Sequence, residues 1–77
     1  MRIEILGTGC PKCALLGKHA DEAARALGLH YELAYVKDIP EIMARGVMST
    51  PALVVDGVVK LQGHVPTVRG LMELLKG

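Results

Sequence analysis

The chain has 77 residues, enough for one domain, and so short a chain buries only about 60% of its unfolded surface, so its core must be compact. Hydrophobic residues at 51% and charged residues at 22% exclude a disordered chain, and aromatics at 3%, both tyrosine, exclude a base-stacking platform for nucleic acid. Nine basic against eight acidic residues give a net charge of +1, which removes the electrostatic case for a phosphate backbone or an anionic membrane and leaves proteins and small molecules as partners.

From Met1 to Leu6 charged and apolar residues alternate without the long apolar core of a secretory leader, so a cytoplasmic setting is expected. Ile3-Glu4-Ile5-Leu6 reads as a first strand that ends at Gly7-Thr8-Gly9. From Pro11 onward Leu16, Ala20, Ala23, Ala24 and Leu27 recur at three- and four-residue intervals, which predicts a long amphipathic helix closed by Gly28. Tyr31, Leu33 and Tyr35 alternate with Glu32 and Ala34 as a half-buried strand does. A short helix over Pro40 to Ala44 follows Asp38 and stops near Gly46. Strands Ala52 to Val55 and Val58 to Gln62 flank Asp56-Gly57, the pair best suited to a two-residue antiparallel hairpin. After Gly63, the spacing of Val68, Leu71, Met72 and Leu75 predicts a final helix. The order is β-α-β-α-β-β-α, an α/β domain over 1–77 whose four-stranded mixed sheet carries helices on both faces.

Chemistry concentrates in Cys10-Pro11-Lys12-Cys13, at the junction of the first strand and the first helix. A disulfide closing so small a loop restrains little unfolded-chain entropy, and structural disulfides belong mostly to oxidising compartments, so the pair is there for reactivity. At a helix start, unpaired N–H groups and the helix dipole favour a thiolate, which makes Cys10 the expected nucleophile. Pro11 suits a first helical position, Lys12 adds a cation, and Cys13 lies one turn on, less exposed and able to resolve a mixed disulfide. That cycle requires no metal and no organic cofactor. Met48-Ser49-Thr50-Pro51 then leads into the third strand with a proline that cannot donate to a sheet ladder.

These residues resemble the thioredoxin/glutaredoxin superfamily, most of all its small archaeal and bacterial members in which Gly-Thr-Gly-Cys-x-x-Cys follows a first strand. The resemblance covers essentially the whole chain and implies a minimal thioredoxin fold and thiol–disulfide exchange with protein disulfides. It implies a cis proline at Pro51 lying against the cysteines, with the backbone of Thr50 pairing with a bound partner. Gly63, after the fourth strand, is placed with Thr50 and Pro51 at that edge. The family also has a buried carboxylate six residues before the nucleophile, where Glu4 stands, as a proton acceptor for Cys13; the plainer reading is a partly solvated Glu4 paired with Arg2 or Lys60. Thioredoxins have Gly-Pro and glutaredoxins Pro-Tyr between the cysteines, whereas this chain has Pro-Lys. The lysine and Gly-Gly-x-Asp segment associated with glutathione are absent, with Gly7-Thr8-Gly9 and Gln62-Gly63-His64-Val65 in their places. The implied electron donor is therefore a thioredoxin-reductase-like or other protein, acting on a monomer.

His19 and His30 read as surface residues, and Met43, Met48 and Met72 as core or rim packing, with Met48 also able to line an apolar docking surface. The alternative function is a small soft-metal module of the copper type, since two thiolates at this spacing hold Cu(I). Such domains have methionine where Thr8 stands and end in a strand, which favours redox chemistry.

Overall fold

A computed structural model describes residues 1–9 and 11–76. Its elements are β1 (Arg2–Leu6), α1 (Pro11–Ala26), β2 (Glu32–Val36), α2 (Ile39–Ala44), β3 (Ala52–Val55), β4 (Val58–Gln62) and α3 (Val68–Lys76). The sheet order is β2-β1-β3-β4, with β1 parallel to β2 and antiparallel to β3, and β3 antiparallel to β4. This is the expected mixed sheet and element order.

The pleat divides the core. Ile5 is in register with Tyr35 and Leu53, and Ile3 with Leu33 and Val55, so these side chains share one face. On that face Ile3, Ile5, Leu53 and Val55 pack with Leu16, Ala20, Ala23 and Ala24 of α1 and with Leu71 and Leu75 of α3. The small alanines leave room for α3 to lie against α1. Leu16 is fully buried, and its truncation to alanine would cost about 2–5 kcal/mol. The opposite face gathers Leu6, Ala52 and Val54 with Ile42 of α2 and Val47. Strand β3 is buried along its whole length, which explains why Ala52-Leu53-Val54-Val55 shows no polar alternation.

Local signals set the boundaries. At the end of α1, the Leu29 N–H donates to the Ala24 carbonyl and the Gly28 N–H to that of Arg25, with Gly28 at φ +68°. That left-handed turn satisfies carbonyls the helix would otherwise leave open. In the hairpin, Asp56 and Gly57 have φ of +50° and +83°, as a two-residue turn matched to strand twist requires. The β3–β4 register shifts between Leu53 and Val54, leaving Lys60 as the extra residue on β4.

Three expectations are corrected. Strand β2 starts at Glu32 rather than Tyr31, whose hydroxyl donates to the Asp21 carboxylate on α1. Met43 and Met48 are 69% and 91% exposed, so neither packs in the core. His19 is partly buried rather than superficial, its Nδ1 lying 2.9 Å from the Pro66 carbonyl oxygen and so linking α1 to the loop before α3.

Candidate functional site at the β1–α1 junction

Helix α1 begins at Pro11, so its first turn carries exposed Pro11 and Lys12 on the outside and Cys13, only 3% exposed, toward the sheet. Cys10, with its geometry to Cys13, lies outside the described residues. Gly7, just past β1, donates its N–H to the Val36 carbonyl at 2.9 Å and is buried beneath Cys13. A Cβ on Gly7 would sit 2.2 Å from Cys13 Sγ and 4.0 Å from the Pro51 Cα. The end of β1, the first turn of α1 and the start of β3 therefore converge on one point where only hydrogen fits. The Thr50–Pro51 peptide is cis, Pro51 is buried and Thr50 exposed.

Beside Cys13 opens a cavity of about 290 Å³, lined by Ile5, Gly7, Gly9, Ala14, Tyr35 and Lys37. The Tyr35 ring closes one side by lying across α1 at Gly17, where a Cβ would meet the Tyr35 hydroxyl at 2.2 Å. Among the described residues, no group of three or more His, Cys, Asp or Glu side chains could hold a metal ion.

The segment leading to Pro51 is held by β4. The Gln62 Oε1 accepts the N–H groups of Met48 at 2.8 Å and Ser49 at 3.2 Å, and the Gly63 N–H donates to the Pro51 carbonyl at 2.9 Å. Gly63 has φ +83°, and a Cβ on it would come within 3.3 Å of the Ser49 Cβ, so glycine suits both the backbone and the space. The structure thus brings Thr50, Pro51 and Gly63 together as one edge. His64 is exposed, with Nδ1 3.3 Å from the Gln62 carbonyl oxygen.

Glu4 differs from expectation. It is 3% exposed rather than partly solvated, and its carboxylate binds Arg45 through Oε1 at 2.5 Å and Oε2 at 2.8 Å, with the Arg2 Nε at 3.9 Å. Lys60 takes no part in this pair. Glu4 faces the α2 side of the sheet, where Arg45 closes α2, and that long-range pairing leaves no local trace in the sequence. The hydrogen bonds from Arg45 hold the Glu4 carboxyl below its ordinary value, burial opposing them and the Arg45 and Arg2 charges reinforcing them.

The sequence reading did not place Arg45, Gln62, Tyr35 or Lys37 at the site. Gln62 is the one glutamine of the chain, but its contacts to Met48 and Ser49 span 14 and 13 positions and, like those of the others, leave no local mark in the sequence.

A four-stranded mixed sheet with helices on both faces, a cysteine in the first turn after β1 and a cis proline before β3 define a thioredoxin-type α/β protein. The family model for the thioredoxin domain matches residues 1–76, and the chain belongs to that family. It is 37% identical over 75 residues to a thioredoxin of Methanothermobacter thermautotrophicus, covering 97% of each chain. It is 39% identical over 74 residues to a thioredoxin of Methanocaldococcus jannaschii, covering 96% of this chain and 85% of the relative. Family membership supports thiol–disulfide oxidoreductase chemistry in general and stands against the soft-metal alternative. Among the described residues, no helix is long and apolar enough to cross a membrane.

Proposed function

We propose that the chain reduces protein disulfides through a Cys10/Cys13 dithiol–disulfide couple. In this reading the Cys10 thiolate attacks one sulfur of a partner disulfide, forming a mixed disulfide and expelling the partner's other sulfur as a thiolate, which takes up a proton. Cys13, having lost its proton, attacks the Cys10 sulfur and releases the second partner thiol. The partner gains two electrons and two protons, and the Cys10–Cys13 disulfide is restored by a dithiol donor, for which a thioredoxin-reductase-like or other protein is the candidate.

The observation that carries the reading is the packing of the Cys13 sulfur on Gly7, with the cis Pro51 against the same point. A resolving thiol must be shielded from solvent yet fixed beside the partner-binding edge, and those contacts meet both needs. Cys10 precedes the first helical residue in sequence, where helix N–H groups favour a thiolate, and Pro11 and Lys12 support that start. Thr50, Pro51 and Gly63 form the edge that receives the partner. Glu4 acts here as a fixed charge paired with Arg45. Run in the reducing direction, this cycle suits a reducing, cytoplasmic compartment, and the chain is read as acting as a monomer.

The test is dithiothreitol-driven reduction of insulin. Wild type accelerates it, Cys10→Ser abolishes it, and Cys13→Ser accumulates mixed disulfides. An inactive wild type overturns the reading.

A further inference from the structure

We propose that Gln62 is a positioning residue for partner capture, its side-chain oxygen fixing the segment before Pro51 so that the Thr50 backbone is offered to an extended disulfide-bearing chain. This rests on the redox reading above.

The segment between α2 and β3 has no ladder of its own. Its start is anchored where Arg45 binds Glu4, and its end where the Gly63 N–H meets the Pro51 carbonyl. Between those anchors the Met48 and Ser49 N–H groups converge on one acceptor, Gln62 Oε1. Two successive peptides aimed at one atom leave each plane little freedom. The acceptor is itself well placed: Gln62 is the last residue of β4, in register with Ala52, and is followed at once by the Gly63 that binds Pro51. The side chain and the next backbone N–H thus clasp the segment from one strand end.

Their combined effect falls on Thr50. Met48 and Ser49 spend their N–H groups on Gln62, and Pro51 spends its carbonyl on Gly63, whereas among the described residues no hydrogen bond reaches the Thr50 N–H or carbonyl. An exposed pair of backbone groups held at fixed orientation is suited to bridge to an extended strand of a partner, which then has less loop to order on binding. A small disulfide without flanking peptide gains little from this.

The experiment compares the full chain with Gln62→Leu, which removes the acceptor at similar bulk, and Gln62→Glu, which keeps an acceptor oxygen. Gln62→Leu is expected to raise KM for insulin about three- to tenfold, with kcat falling less than KM rises, as loss of two exposed hydrogen bonds to one atom implies. Gln62→Glu returns KM toward wild type. With a small aromatic disulfide as substrate, kcat/KM falls less than with insulin. A wild-type KM in Gln62→Leu, equal losses on both substrates, or a Gln62→Glu as impaired as Gln62→Leu overturns the proposal while leaving the redox reading standing. An inactive wild type instead removes the reading beneath it. Urea unfolding of each variant separates loss of fold from loss of positioning.

Discussion

Gly7→Ala tests the packing on which the site depends. The φ of Gly7 lies outside the left-handed region, so alanine meets no backbone penalty there and the substitution isolates side-chain space. The new methyl would stand 2.2 Å from Cys13 Sγ and 3.2 Å from its Cβ. Unstrained contacts need about 3.5–4 Å, so sulfur and methyl must separate by a further ~1.3 Å or more. Neither yields easily, since Cys13 is buried in the first turn of α1 and the Gly7 N–H is bound to Val36. Overpacking of this kind costs about 1–3 kcal/mol. Displacement of a reacting group by ~1 Å costs on the order of a hundredfold in rate. Urea unfolding should therefore show a loss of about 1–3 kcal/mol, and insulin reduction a fall of about ten- to a hundredfold. A Gly7→Ala protein with wild-type stability and a rate within about twofold of wild type would refute the argument, because a displacement of this size could not go unfelt.

Gly17→Ala is the contrasting case, since its methyl would meet the half-exposed Tyr35 ring, which can swing into water. Helix propensity then returns about 1 kcal/mol, and stability stays within about 1 kcal/mol of wild type in urea unfolding; a loss above ~2 kcal/mol would show that the ring is held. For Glu4, the lowered carboxyl means that stability from its pairing is fully present above the ordinary value of 4.5 and is lost as pH falls through the lower folded value. Wild type should exceed Glu4→Gln by the same margin at pH 7 as at about pH 5, and the margin should narrow only below 4.5; narrowing already above it contradicts the assigned pairing. Tyr31 donates to the Asp21 carboxylate, which raises its ionisation above the ordinary 10.0. In a Tyr35→Phe background an absorbance titration should find that rise, and Asp21→Asn should remove it.

The elements were legible because each signal was local. Apolar spacing marks α1, Asp56-Gly57 fixes the hairpin, and Gly28 closes α1 through bonds within a single turn. Cys13 and Pro51 could be picked out because residue type and position relative to β1 and β3 carry their chemistry. Pairings across the sheet left no such mark. Glu4 meets Arg45 across 41 positions, and Gln62 meets Met48 and Ser49 across 14 and 13, so only the closed fold reveals either contact. Met43 and Met48 are exposed rather than in the core for a related reason: hydrophobicity marks a residue that can be buried, not one that is, and Met48's exposure leaves only its reading as part of an apolar surface.

The sheet also divides the molecule unequally. One side is backed by two helices and the larger apolar cluster, while the other has only the six-residue α2 and a handful of aliphatic groups. Thermal fluctuations should follow that imbalance: amides of α2 and the strand approach after it should exchange with deuterium sooner than those of α1. The half that carries the buried Cys13 is then the stiffer one, and the thinner half around α2 is where the fold opens first.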